Sequence, residues 1–379
     1  MGVIPGIEVL WRDHLALLEG QRVGLISNAS GVTRQLVSTV RLLQQMPHVE
    51  LAALFSPEHG LAAAVPDGTA VANSILGDLP VYSLYGRWQR PTPEMLADLD
   101  LLIFDIQTVG VRFYTYLTTL IYVMQAAAEQ NLPIIICDRP NPIGGEVVEG
   151  PLLQTAFTSF VGCGPLPIRH GLTIGEVARL FNELWQVSCQ LTVVPCEGWQ
   201  RSDWFDETHL PWVPPSPNIP KGETAVLYPG TCLIEGTNLS EGRGTTLPFE
   251  VVGAPWLDSG QLVRQLNRLA LPGIKFRATQ FTPTASKWQG ECCLGIQLHV
   301  TDKKALRSVT IVLHILSQIR HLHAAEFAWR LPHFDHLVGA GEVREKLESG
   351  AAASDIIASW TADLDQFQTE SQTIYLYPN

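Results

Sequence analysis

The chain has 379 residues, 46% hydrophobic and only 16% charged, which is material for a sizeable core and, at this length, for two domains. Its 25 Lys and Arg stand against 37 Asp and Glu, and a net charge of -12 argues against an electrostatic nucleic-acid footprint and against binding to an anionic membrane surface. Any anionic ligand must then be held by local arginines.

Residues 1–14 have no basic segment followed by a long apolar stretch, and no run in the chain approaches the length of a membrane span. From residue 22 onward, short apolar runs alternate with segments of helical period. Residues 22–27 read as a strand, 33–45 as an amphipathic helix, and 49–55 and 79–84 as further strands. Thr92 and Pro93 open a short helix over 93–99. A strand over 101–106, a long apolar helix over 113–130 and a strand over 132–137 follow. A helix over 173–185 starts with Thr173 and Glu176 spaced as a capping box, and 190–194 is the sixth strand. Such alternation is the pattern of a parallel sheet covered by helices, here a Rossmann-like α/β domain over residues 1–198.

Right-handed crossovers bring the carboxyl ends of parallel strands to one edge, where ligands bind. Four of the expected strands end in polar groups: Asn28 after the first, Glu58 and His59 after the second, Asp105 and Gln107 after the fourth, and Asp138, Arg139 and Asn141 after the fifth. This convergence favours a catalytic cleft over a row of solvated turns. Arg112 and Tyr114, at the start of the long helix, extend the rim, with Arg112 suited to a carboxylate or phosphate and Tyr114 to a sugar face. Glu149, Arg169 and His170 are further polar groups in turns. The first strand turn lacks Gly-x-Gly-x-x-Gly and no phosphate loop is present, so a nicotinamide cofactor is unsupported. No metal-ligand spacing is present either.

Beyond residue 198 the chain turns rich in Trp and Pro. It then offers a Gly-rich polar loop over 234–246, suited to a polyhydroxylated ligand. A helix over 259–269, strands over 274–281 and 292–300, and helices over 303–319 and 353–367 suggest a smaller α+β auxiliary domain over 199–379 that closes the cleft. The seven cysteines are scattered, without Cys-x-x-Cys, and Cys292 and Cys293 are adjacent. Reduced, mostly buried thiols in a cytoplasmic protein are the expectation, with a processed exported form as the alternative.

Seven segments in order, Ser-Pro-Glu-His-Gly (56–60), Pro-Val-Tyr-Ser-Leu-Tyr-Gly (80–86), Phe-Asp-Ile-Gln-x-x-Gly-x-Arg-Phe-Tyr-Thr-Tyr (104–116), Asp-Arg-Pro-Asn-Pro-x-Gly-Gly (138–145), His-Gly-Leu-Thr-Ile-Gly-Glu (170–176), Ser-Pro-Asn-Ile-Pro (216–220) and Glu-Gly-Thr-Asn-Leu-Ser-Glu-Gly-Arg-Gly-Thr-Thr (235–246), resemble the NamZ-type exo-β-N-acetylmuramidases. The resemblance spans nearly the whole chain. It implies a cleft between a Rossmann-like and an auxiliary domain, and exo-acting removal of β-linked N-acetylmuramic acid from the non-reducing ends of peptidoglycan saccharides, with no cofactor and no metal.

That chemistry needs a carboxylic acid at the leaving oxygen. Glu58 is the expected general acid/base, with His59 tuning it or binding a hydroxyl. Glu149, Glu176, Glu235, Glu241 and Asp105 are the candidates for a second catalytic group, and Glu149 is placed with the catalytic pair; the substrate's own acetamide is the other option. The expected binding residues are Asn28, Asp105, Gln107, Arg112, Tyr114, Asp138, Arg139, Asn141, His170, Asn218, Asn238, Glu241 and Arg243. One of Arg112, Arg139 and Arg243 is expected to read the lactyl carboxylate that separates this sugar from N-acetylglucosamine. The competing readings are a non-catalytic muropeptide-binding protein and another Rossmann-like sugar-processing enzyme.

Overall fold

The computed structural model describes residues 2–377. Its first sheet holds β1 (Arg22–Ser27), β2 (Glu50–Ser56), β3 (Ser74–Leu76), β4 (Leu79–Ser83), β5 (Leu101–Asp105), β6 (Ile134–Cys137) and β7 (Leu191–Val194), in the order β3-β4-β2-β1-β5-β6-β7. Every pairing is parallel except the β3–β4 hairpin at one edge. Counted along the chain, the parallel strands lie 3-2-1-4-5-6, the doubly wound layout in which the direction of winding reverses between β1 and β5.

Strands β5 and β6 are buried along their whole length, and β1 is buried beyond Arg22. They read as unbroken apolar runs because helices cover both faces. Helices Gly6–Asp13 and Thr39–Gln44 cover one face, setting Ile7, Leu10 and Leu43 against Leu25 and Leu54. Helices Tyr116–Glu129 and Ile174–Arg179 cover the other, against Ile26, Phe55, Phe104 and Ile136. That second apolar body continues without a break into the second half of the chain, through Leu227, Phe249, Ile296 and Ile315.

The second half is built on an antiparallel sheet of β8 (Val251–Ala254), β9 (Ile274–Phe281) and β10 (Cys293–Val300), in the order β8-β10-β9. Helices Gly222–Thr231, Ser259–Arg268 and Ser308–Leu322 accompany it, and a run of short helices starting with His333–Val338 follows. The α/β class with a smaller α+β part is therefore the observed one.

The helices differ from expectation where polar side chains capture backbone groups. The helix expected over 33–45 starts only at Thr39, because Thr33 Oγ1 accepts from the Gln35 and Val37 N–H groups and Ser38 then caps the helix. The helix expected over 303–319 starts at Ser308, because Asp302 accepts from the Lys304 and Ala305 N–H groups. The expected helix over 173–185 opens with the capping box on Thr173 and Glu176 but widens into a π-turn at Leu180–Leu184. The C-terminal helix is two helices, Ala353–Ala358 and Thr361–Ser371.

Candidate active site

Doubly wound sheets usually bind ligands at the winding reversal. Here that crevice is filled. Asp105, at the end of β5, takes a two-pronged pair from Arg139 at 2.6 and 2.8 Å and a further hydrogen bond from Thr39 Oγ1. Ser27 Oγ donates to the Asp105 carbonyl at 2.8 Å, and a Cβ on Gly31 would collide with that Ser27 hydroxyl.

The open space lies one strand over, beyond the carboxyl ends of β2 and β4. It is a cleft of about 680 Å³ walled by both halves of the chain, a volume suited to a small ligand. From the first half come Glu58, His59, Asp67, Tyr85, Tyr114, Thr115 and Phe160; from the second come Asn218, Tyr228, Glu235, Glu241, Arg243, Lys287, Arg330 and His333. Several aromatic rings give it apolar faces, with Tyr85 and Phe160 at 5.6 Å between centroids and Tyr228 and Phe249 at 4.7 Å.

Pro57 ends β2, and the chain reverses through His59 and Gly60, both left-handed with φ of 69° and 74°. Backbone held in this region by a non-glycine residue stores strain of a kind that clusters at functional sites. The turn directs Glu58 into the cleft, where its carboxylate accepts from Thr115 Oγ1 at 2.7 Å and from the Gly68 N–H at 3.2 Å. His59 Nδ1 lies 2.7 Å from the Val65 carbonyl, so Nδ1 carries the proton and Nε2 is the acceptor nitrogen. Burial and then the Glu58 charge push the Tyr85 phenol up, so its O–H remains a donor.

The far wall is an ion cluster. Arg243 reaches Glu235 at 2.6 Å, Asp67 at 3.0 Å and Glu241 at 3.3 Å, and Lys287 reaches Glu241 at 2.8 Å. His333 Nε2 lies 3.5 Å from Glu235. Burial works to raise the Glu235 pKa, but Arg243 and His333 outweigh it and hold the group down at about 2. Glu58 differs from the other three carboxylates of the cleft, Asp67, Glu235 and Glu241, in one respect. Among the described residues it has no cationic partner; its oxygens meet only neutral donors.

Of the residues singled out from the sequence, the structure brings Glu58, His59, Tyr114, Asn218, Glu235, Glu241 and Arg243 to this cleft. The others do not line it, and each is engaged elsewhere. Glu149 is corrected from a cleft carboxylate to a tie between the two halves: it pairs with Arg169 at 3.2 Å and accepts from the Val309 N–H at 3.1 Å, at the start of helix Ser308–Leu322. Asn28 donates to Tyr116 and to the Pro215 carbonyl, Gln107 to the Thr108 and Pro140 carbonyls, and Asn141 to the Leu172 carbonyl. Arg112 donates from its two terminal nitrogens to four carbonyls, and Arg139 donates to Asp105 and the Val32 carbonyl. Asp138 accepts from Tyr377, Thr173, Gly175 and Arg139 at 2.6 to 2.9 Å. Asn238 clamps the segment that carries Arg330.

His170 is buried as well. Its Nδ1 accepts from the Leu172 N–H at 3.1 Å, which puts the proton on Nε2, an atom without a partner. Burial first, then Arg112, Arg169 and Arg201, push its pKa from 6.5 to about 3. A histidine neutral in the folded chain and protonated near 6.5 in the unfolded one contributes stability that is present above pH 6.5 and is lost as pH falls toward 3. His170→Gln keeps an acceptor for Leu172. Urea unfolding across pH 6.5 to 3 should show the variant gaining on the wild type by up to about 1.4 kcal/mol per pH unit. Asp138, pushed up to about 7 by burial against its four donors, titrates in both proteins and cancels from the difference. Parallel stability curves would refute the assignment.

Sequence reasoning missed Asp67, Thr115, Lys287, Arg330 and His333. Thr115 and Tyr85 sat inside quoted motifs without being singled out. Lys287, Arg330 and His333 lie outside every segment singled out from the sequence.

Two sequence models cover the chain: exo-β-N-acetylmuramidase NamZ, N-terminal, over residues 23–223, and exo-β-N-acetylmuramidase NamZ, C-terminal, over residues 226–377. The peptidoglycan β-N-acetylmuramidase NamZ of Bacillus subtilis (strain 168) is 47% identical over 378 residues, 99% of this chain and 91% of that protein. Two crystal structures of DUF1343 family proteins from Bacteroides fragilis superpose along the whole chain. One has a TM-score of 0.93 at 38% identity, covering 99% of both chains; the other has 0.79 at 32%, covering 100% of both.

Proposed function

This chain belongs to the NamZ family of exo-β-N-acetylmuramidases, and from that premise we propose that it removes β-linked N-acetylmuramic acid from the non-reducing ends of peptidoglycan fragments with Glu58 as the general acid. The observation that carries the assignment is the isolation of Glu58. Asp67, Glu235 and Glu241 are tied to Arg243, and Glu241 also to Lys287; Glu58, which among the described residues meets no cation and accepts from the neutral Thr115 hydroxyl and the Gly68 N–H, is the carboxyl group of the cleft not engaged in an ion pair and so free to act on the leaving oxygen.

Cleavage of the glycosidic bond places a proton on the leaving oxygen while positive charge builds on the sugar ring. Glu58 supplies that proton and takes one back from the water that completes hydrolysis. Thr115 and Gly68 fix the carboxyl group in one rotamer, which limits the misplacement that costs rate. Glu235, kept ionised by Arg243 and His333, offers negative charge and acceptor oxygens but never a proton. The rings of Tyr85, Phe160 and Tyr228 give the sugar apolar faces to pack on.

The test is a pair of chromogenic glycosides, one of β-N-acetylmuramic acid and one of β-N-acetylglucosamine. The first should be hydrolysed and the second should be poor. No hydrolysis of the muramic glycoside, or equal rates on both, would sink the reading.

A further inference from the structure

The reaction proposed above acts on a sugar whose lactyl ether bears a carboxylate, yet four carboxylates already line the cleft. Something must attract that anion. Arg243 has its guanidinium divided among Asp67, Glu235 and Glu241. Lys287 is held by Glu241 at 2.8 Å and by the Ile234 and Thr237 carbonyls at 2.9 and 3.1 Å. His333 faces Glu235. Arg330 is the remaining cation: it is exposed on the cleft wall, and among the described residues its guanidinium makes no hydrogen bond and no ion pair.

The backbone beneath Arg330 is nevertheless fixed. Its N–H donates to the Gly236 carbonyl at 2.8 Å, and Trp329 pairs with Thr237 in an isolated β-bridge. Asn238 holds the same segment from the side, donating to the Glu326 carbonyl at 2.7 Å and accepting from the Ala328 N–H at 3.0 Å. Arg330 is close enough to Lys287 for its charge, after burial, to help push that ammonium's pKa down. The cleft therefore presents one unspent guanidinium on an anchored stretch of chain.

We propose that Arg330 binds the lactyl carboxylate and is the residue that selects N-acetylmuramic acid over N-acetylglucosamine. The proposal rests on the function proposed above. A planar guanidinium offers two parallel N–H donors to a carboxylate, and the bound sugar excludes water from the pair, which strengthens it. Arg243 then has a different task, the pairing of the cleft's own acids.

The experiment compares wild type, R330A and R330K on an aryl β-N-acetylmuramide and on its lactyl methyl ester, which has lost the charge. Loss of a charge-assisted pair should raise KM for the acid by about 10- to 100-fold in R330A, with kcat little changed. R330K should recover part of the loss, and on the ester wild type and R330A should coincide. Equal losses on acid and ester, or no loss on the acid, overturn the proposal. If the wild type cleaves neither substrate, the assigned reaction fails, and calorimetry with free N-acetylmuramic acid decides on Arg330 alone. At least tenfold weaker binding to R330A than to wild type supports it; equal affinity, or no binding to either, overturns it.

Discussion

Glu58→Gln abolishes most turnover of a saccharide substrate, lowering kcat by about 10²- to 10⁴-fold, the usual worth of a positioned general acid. The amide fills the same space. Its carbonyl can still accept from the Gly68 N–H, and its NH₂ can donate to Thr115 Oγ1, so fold and ligand binding should survive. The effect should depend on the leaving group. An N-acetylglucosamine oxygen leaves badly without a proton, whereas an activated nitrophenolate leaves well, so E58Q should lose far less on the aryl glycoside than on the disaccharide. Equal losses on both would move Glu58 out of the acid's role. Unchanged turnover would remove it from the chemistry, and lost binding with a normal fold would make it a binding residue. The same measurement separates a hydrolase from a muropeptide-binding protein, since a binding protein would show no turnover to lose.

The winding of the first sheet was legible because its central strands are buried on both faces and so read as plain apolar runs, and because parallel strands must be separated by helices. The helix starts were not, since they depend on which side chain captures which N–H: Thr33 and Asp302 each delay a helix by several residues for a local reason that hydrophobic period does not register. The candidate site divided along a similar line. Glu58 and His59 stand out because a buried strand ends in a proline turn at their door. Asp105, Asp138, Arg139 and Asn141 occupy equivalent positions at strand ends, yet they face one another, neighbouring hydroxyls or backbone groups and not the cleft. A buried polar group needs partners whether it is structural or catalytic, so residue type and position at a strand end do not separate the two cases. Arg330 was invisible for the opposite reason. Its significance is that other cations are already paired, and those pairs join residues far apart in the chain, such as Arg243 with Asp67 and Lys287 with Glu241.

Arg112→Met should destabilise the protein by about 3–5 kcal/mol, the scale seen when a buried charged group is removed from its partners. The Arg112 guanidinium donates to the Pro151 and Leu166 carbonyls at 2.9 and 2.7 Å and to the Leu337 and Val338 carbonyls at 2.8 and 2.7 Å, joining two loops of the first half to the end of helix His333–Val338 in the second. Methionine keeps much of the volume but leaves those four acceptors without a donor, each costing about 1–3 kcal/mol in a buried setting. The loss is partly offset because no carboxylate balances the buried charge: burial pushes the guanidinium down to about 9. Arg112→Lys, with three donors for four carbonyls and no planar fork, should recover only part of the stability. Urea unfolding of the three proteins is the measurement, and an R112M midpoint equal to that of the wild type would refute the assignment. The consequence for function follows from position. Arg112 lies three residues before Thr115, which holds Glu58, and it grips the helix that begins with His333 and follows Arg330. A motif arginine that touches no ligand thus sets the spacing between the wall that carries the acid and the wall that carries the free cation.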